Sequence, residues 1–521
     1  MRADIVVPAG PTRSGKSVYP PVLPRGPLTV AARLRELGYE TRVIDCYSFP
    51  NAEFRCDPAI GDGAALVGIS VHGSPAVEPA IRLASRIRSA YPDLPIVFGG
   101  NLVRVAPESI LPYVPSRSAI ICGADLTTIG AAVERLRATA GVEIFRELPR
   151  APDEEEWGLG PVDCLIPQIS EYLNDPDFEY HLATQEGCPY RCLHCGTGRS
   201  GLFGRVWYRL VESVASELGR LAAICYEHGC SAPDIWIADE TFISNRAHAR
   251  RIAELFAESG GRWRWRAQTR LDCADEEIFG ELARAGCYKL AFGVEIPTNT
   301  GLQLLGKREV MEGAIQVFHA ASEVGISPEA IIVIGTPEDV STVRDTVTTL
   351  RELRAASVQS YIYHPVPGSP WWRRFGPAAT VVPELEWWSR LDFHTPPVNG
   401  DERKAIQAVG DYLALQLWRP ADNQSELCVP AAVSCLTCKA TLRLTALSDT
   451  GTTLSLGVEG RRSTSIVAWN ALSKEALALP CCSQGNIHSQ ICEIYPVETI
   501  EQLVTATCPD CAFSKQAEEV A

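Results

Sequence analysis

No run of apolar residues in the 521-residue sequence reaches the roughly 20 needed to cross a bilayer, and the N-terminus lacks a secretory-signal pattern. A soluble, cytoplasmic protein is expected, with no membrane partner. Positive charge is scarce: 48 Lys and Arg face 63 Asp and Glu, a net charge of −15. That balance argues against nucleic acid, which is held by basic surfaces. A helix is also missing where one motif requires it. Residues 10–17, "GPTRSGKS", fit the phosphate-cradling loop of nucleotide triphosphatases letter for letter. That loop works only if a helix begins at its Lys-Ser pair. Pro20, Pro21, Pro24 and Pro27 follow, so the next helical pattern starts near Leu28. A polar loop is the better reading than a nucleotide-driven machine.

What is present is length enough for two to four domains and an ordinary globular balance of 46% apolar and 21% charged residues. Cysteine is abundant, with 19 in all, and unevenly spread. In a reducing compartment close cysteine spacings point to metal or cluster binding rather than disulfides.

Residues 1–150 alternate strand and helix signals: "DIVV", "ETRVID", "ALVGISV", "LPIVFGG" and "SAIICG" against "LTVAARLRELGY", "AVEPAIRLASRIRSA" and "LTTIGAAVERLRATA". This predicts an α/β fold with a doubly wound, Rossmann-like parallel sheet. Ligands of such sheets bind beyond the carboxyl ends of the strands, where Asp45, Ser70, Gly99, Gly100 and Gly123 stand. Residues 151–178 read as a linker. Residues 179–370 repeat the alternation with "YHLATQE", "DIWIADE", "RWRAQTR", "YKLAFGVE", "EAIIVIG" and "VQSYIYHPV", which predicts a partial (β/α)6 barrel with its site at the carboxyl ends. Residues 371–425 form a Trp-rich, helical extension, and residues 426–521 a Cys-rich C-terminal domain.

At the end of the first barrel strand, "EGCPYRCLHCGTG" sets Cys188, Cys192 and Cys195 at C-x-x-x-C-x-x-C spacing. Three thiolates on one short loop can hold three irons of a 4Fe–4S cube and leave the fourth open. Zinc is the competing occupant, but structural zinc takes four ligands, and His194 lies awkwardly between two of the cysteines. In the tail, Cys435/Cys438 and Cys508/Cys511 form two C-x-x-C pairs, suited to zinc or an auxiliary cluster.

The cysteine triplet resembles the radical S-adenosylmethionine (radical SAM) superfamily. Membership implies that the open iron chelates SAM, whose reductive cleavage gives a 5′-deoxyadenosyl radical. The family's usual aromatic before the third cysteine is replaced by His194. Further segments match in order. Asp239 and Glu240 of "ADETF" correspond to the acidic segment that meets the SAM amino group. Arg270 could approach the SAM carboxylate, Glu295 of "GVEIP" resembles the position that reaches the ribose, and Gly335 of "IIVIGTPED" that beside adenine.

A doubly wound domain ahead of the barrel is similar to the cobalamin-binding subgroup, which implies cobalamin as a second cofactor. Gly99, Gly100 and Ser70 match positions near its nucleotide tail. In "DCYSFP", Tyr47 stands where methionine-synthase-like domains carry a cobalt-ligating His, and Pro50 where they carry Gly. The resemblance implies a cobalamin-dependent radical SAM C-methyltransferase, using SAM and methylcobalamin on an unactivated carbon of a small-molecule or peptide natural-product precursor. An electron donor such as flavodoxin or ferredoxin would serve it. Cyclisation, ring contraction or dehydration without methyl transfer is the alternative outcome on the same scaffold, and a non-catalytic cofactor carrier a third.

Overall fold

A computed structural model describes residues 1–389 except 11, 14–15, 18–19, 51–59, 124–125, 139–140, 147–156, 199–204, 275, 308–310, 337–342 and 378–381. Beyond residue 389 it describes only the backbones of 431–434, 441–447, 454–458, 467–468 and 504–505. Cys435, Cys438, Cys508 and Cys511 lie outside the described residues. The chain divides into two compact units, Met1–Leu290 with Pro365–Ser389, and Ala291–His364 with Arg390–Ala521.

The first sheet has seven strands: β1 (Arg2–Val7), β2 (Glu40–Asp45), β3 (Ala64–Ser70), β4 (Ile96–Gly99), β5 (Ser118–Cys122), β6 (Val142–Arg146) and β7 (Leu165–Ile166). Their spatial order is β6-β5-β4-β3-β1-β2-β7, and every adjacent pair is parallel. Helices cover it, among them α1 (Arg25–Glu36) and α2 (Val77–Ala90). With covered faces, the strands bury near-continuous apolar runs: Ile5, Val6, Val43, Ile44, Val67, Ile69, Ile96, Phe98 and Ile120 are all at most 3% exposed. The strand order reverses between β1 and β3, and an open sheet of this type takes its ligand at the carboxyl end of such a switch point.

Two details differ from expectation. Helix α1 begins at Arg25 rather than near Leu28, with its first bond from Leu28 N–H to Pro24 O at 3.0 Å. Pro27 is tolerated because first-turn N–H groups have no intrahelical partner. The supposed linker is in part structural. Strand β7 adds parallel to β2, and Trp157, Leu159, Cys164, Ile169 and Tyr172 are buried. The apolar residues among the acids and prolines of that segment carry it into the sheet's edge. The "GPTRSGKS" loop is a hairpin, Thr12–Arg13 antiparallel to Lys16–Ser17. Lys16 and Ser17 therefore lie on a strand and no helix starts at them, which removes the triphosphate cradle.

The second sheet has six strands in sequential order: β8 (Glu179–Leu182), β9 (Asp234–Ile237), β10 (Trp265–Thr269), β11 (Cys287–Glu295), β12 (Ser327–Ile334) and β13 (Ser357–Ile362). All six coincide with the strands read from sequence. Helix α3 (Val211–Glu227) follows the loop after β8. Among the described residues no helix is long and apolar enough to cross a membrane.

Candidate active site

The loop after β8 is fixed before it reaches the first cysteine. Gln185–Glu186 pairs antiparallel with Trp207–Tyr208, and Cys188 bridges to Gly198. Asp239, at 0% exposure, accepts from Thr184 N–H (2.7 Å), Thr184 Oγ1 (2.5 Å) and Gln185 N–H (3.0 Å). Burial pushes its carboxyl up to about 6 against those hydrogen bonds. Asp239 thus holds the loop's root and is closed to a ligand. The expectation that it meets the SAM ammonium does not fit this placement. Glu240, its neighbour, accepts from Gly187 N–H at 3.1 Å, and burial raises its carboxyl to about 8. A desolvated carboxyl next to the cysteine loop, with no cationic side chain bonded to it among the described residues, suits an incoming ammonium, whose charge would favour its ionised form.

Cys188, Cys192 and Cys195 are half-buried and in no disulfide. Each has a polar neighbour at its sulfur. The Thr241 hydroxyl is 3.5 Å from Cys188 Sγ, Arg270 Nη1 donates to Cys192 Sγ at 3.3 Å, and the Thr197 hydroxyl and N–H lie 3.1 and 3.4 Å from Cys195 Sγ. Among the described residues no three His, Cys, Asp or Glu side chains converge as a single metal ion requires. A cube places each thiolate on a different iron, so its ligands stand farther apart. Three soft sulfurs on one loop, each with a polar group beside it, fit a cluster better than zinc. Arg270 is 6% exposed, forks onto Asp272 at 2.8 and 3.0 Å, and lies 3.9 Å over the Tyr190 ring. The Tyr190 hydroxyl is in turn 2.9 Å from Cys273 Sγ. Trp371 N–H donates to Leu193 O at 3.0 Å, and a Cβ on Gly196 would come within 2.9 Å of Val366, so residues 366–371 pack over the loop.

In the second unit, Glu295 ends β11 at φ +63. A left-handed conformation is costly for a residue with a side chain and gathers at functional sites. Lys307, 5% exposed, donates to Glu295 Oε1 at 3.3 Å and to Gly293 O. Gly335, at φ +68, follows β12.

On the first sheet, Asp45 is spent on its own turn. Its Oδ1 accepts from Tyr47 N–H (3.0 Å) and Ser48 N–H (3.1 Å), and its Oδ2 from Tyr172 OH (2.7 Å). Tyr47 lies across Gly10, where a Cβ would meet its ring at 2.4 Å, and edge-on to His72 with centroids 4.5 Å apart. Burial holds His72 down at about 4, and its buried Nδ1 makes no hydrogen bond among the described residues. Ser70 is 8% exposed at the end of β3. Gly100, at φ +103, lies so close to Val71 that a Cβ would be 2.7 Å from Val71 O, whereas a Cβ on Gly99 would meet nothing within 4 Å. Gly99→Ala is therefore expected to leave the unfolding midpoint nearly unchanged. Gly100→Ala should cost about 1–3 kcal/mol of stability. Thermal unfolding of the two variants checks both.

Arg104, in the short helix Asn101–Val105 after β4, donates to Glu186 Oε1 at 3.0 Å. The carboxyl edge of the first sheet is thereby tied to the root of the cysteine loop.

The radical SAM superfamily profile matches residues 182–350, and the B12-binding domain profile residues 15–132. The chain belongs to the cobalamin-binding radical SAM family. It is a radical SAM enzyme, and its cofactors are those of that family: a 4Fe–4S cluster, SAM and cobalamin. An uncharacterized methyltransferase of Pyrococcus horikoshii is 24% identical over 337 residues, 62% of this chain and 71% of that protein. The cytidylyl-2-hydroxyethylphosphonate methyltransferase of Streptomyces wedmorensis is 24% identical over 372 residues, covering 59% of this chain and 68% of its own. Among solved structures, the radical SAM methyltransferase TsrM of Kitasatospora setae, with cobalamin and a [4Fe-4S] cluster bound, shares the fold at TM-score 0.54 and 18% identity, over 72% of this chain and 74% of that one. The cobalamin-dependent radical enzyme OxsB with aqua-cobalamin bound does so at TM-score 0.53 and 18% identity, over 67% and 52%.

Sequence reasoning singled out the three cysteines, Glu240 and Arg270, which the fold brings to one loop cluster. It missed Thr241, Thr197, Tyr190, Arg104, Lys307 and His72. Thr241 and Thr197 flank motif residues, but a hydroxyl's aim is invisible in a string. Arg104 and Lys307 gain meaning only from partners far along the chain.

Proposed function

We propose that this enzyme is a C-methyltransferase acting on an unactivated carbon of a small-molecule or peptide natural-product precursor. The observation that carries the reading is the Arg104–Glu186 ion pair, which ties the edge proposed for cobalamin to the loop proposed for the cluster. A methyl donor and a hydrogen-abstracting centre must both reach one substrate carbon. Both methyltransferase relatives support methyl transfer over other radical outcomes. When bound, the cofactors supply the methyl group and the one-electron chemistry; the protein supplies binding, orientation and exclusion of water.

In this reading Cys188, Cys192 and Cys195 hold the cluster, backed by Thr241, Arg270 and Thr197. Glu240 takes the SAM ammonium, and Arg270, already on Asp272, presents positive charge toward the SAM carboxylate. Glu295, braced by Lys307, takes the ribose hydroxyls, and the backbone at Gly335 meets adenine. Ser70, Gly99 and Gly100 line the cobalamin tail, and Tyr47 packs beneath it.

The test uses the reconstituted enzyme under strong reduction with SAM, with and without cobalamin. Methyl transfer requires release of S-adenosylhomocysteine that depends on cobalamin, beside 5′-deoxyadenosine that depends on the cluster. Release of 5′-deoxyadenosine alone, with or without cobalamin, would overturn methyl transfer in favour of a rearrangement.

A further inference from the structure

Cobalamin domains of the D-x-H-x-x-G kind set an imidazole under cobalt from the loop after the second strand. Here that position is Tyr47, so the lower face lacks its usual nitrogen. The structure brings another nitrogen to the same place. His72 lies two residues beyond β3, on the carboxyl side of the β1/β3 switch point where a doubly wound sheet takes its ligand. Its ring meets Tyr47 edge-on at 4.5 Å. Its Nδ1 is buried and makes no hydrogen bond among the described residues. A buried, unpaired polar atom is uncommon in a folded protein and marks a place where a partner belongs. The space beside Gly10 is filled by the Tyr47 ring, whereas a Cβ built on Gly99 meets nothing within 4 Å.

We infer that His72 supplies the lower axial ligand to cobalt, replacing from the β3 loop the imidazole that the β2 loop lost. The inference rests on cobalamin occupying this edge. A lone pair of one ring nitrogen forms the bond to cobalt, and the water or the cofactor's own benzimidazole leaves that face. No electron changes hands. Tyr47 then has a positive role: its ring, wedged between Gly10 and His72, fixes the plane of the imidazole.

The test is electron paramagnetic resonance of the full-length protein loaded with cobalamin and reduced to the Co(II) state, grown once with ordinary and once with heavy-nitrogen histidine. Histidine ligation gives a nitrogen triplet on the cobalt lines that becomes a doublet with the label, and His72→Ala loses the splitting while absorption shows cobalamin still bound. Retained cobalamin with no splitting, or with a triplet that ignores the label, overturns the assignment. A label-sensitive splitting that survives in His72→Ala overturns it too, since another histidine then ligates. Protein that retains no cobalamin at all overturns the cofactor placement and this inference together. Absorption of the washed protein separates that case from the others without reference to activity.

Discussion

Cys188→Ala, Cys192→Ala and Cys195→Ala, each alone, are expected to give protein that stays colourless after anaerobic reconstitution with iron and sulfide and cleaves SAM at background rate. A cube held by three protein thiolates has no spare ligand, so losing one leaves two irons open and the cluster is shed. The fourth thiol nearby gives the control. Cys273 Sγ lies 2.9 Å from the Tyr190 hydroxyl, and burial pushes the thiol up to about 11. It is bound as a thiol rather than poised as a thiolate ligand. Cys273→Ala should retain full iron content and SAM cleavage. If it instead loses iron as the other three do, the site is a closed four-thiol centre with no corner for SAM. Thr241→Val removes the hydroxyl that donates to Glu240 O at 2.6 Å and lies 3.5 Å from Cys188 Sγ. Such outer partners are worth roughly 10–100-fold in metal affinity or activity, so this variant should colour normally and turn over more slowly. Iron assay, visible absorption and product chromatography report all three quantities.

The second large effect concerns stability. Glu217 on α3 is buried with its two oxygens divided among three partners. Oε1 accepts from Arg25 Nη1 at 2.8 Å and Tyr180 OH at 2.5 Å, and Oε2 from Arg209 Nη1 at 2.5 Å. Burial pushes this carboxyl up, but Arg25 and Arg209 pull harder and hold it below the ordinary value. Arg25 opens α1 of the first sheet's layer and also donates to His181 O and Trp157 O. One carboxylate therefore joins the helix after β1 to the strand and helix that carry the cysteine loop. Glu217→Ala leaves Arg209, whose side chain is 1% exposed, without its counter-charge. Breaking a buried pair in this way costs about 3–5 kcal/mol. Glu212→Ala, which breaks an exposed pair between α3 and Arg251, should cost about 0–1 kcal/mol. Denaturant midpoints of the two variants compare them. A Glu217 variant no weaker than the Glu212 variant would show that packing alone joins these elements.

The alternating apolar runs made both sheets legible in the sequence, because strands covered on two faces must be apolar nearly throughout. The cysteine loop was legible because its spacing is short and local. What the sequence hid depends on distance. Asp239 and Glu240 are adjacent and chemically alike, so a string cannot tell the one that clamps Thr184 and Gln185 from the one that remains for a ligand. The triphosphate-like "GPTRSGKS" was correctly rejected on the prolines behind it, but its hairpin was not foreseen. The linker reading failed because two residues, Leu165 and Ile166, are too few to announce a strand among acids and prolines.

That small edge strand limits how the protein can be dissected. Because Leu165–Ile166 extends the sheet beside Val43–Ile44, and Tyr172 reaches back to Asp45, severing the chain near residue 150 strips the border from β2 and the cap from its turn. A fragment meant to carry the corrinoid half alone must run past residue 173, and a chimera that grafts this half onto a foreign barrel inherits the same requirement.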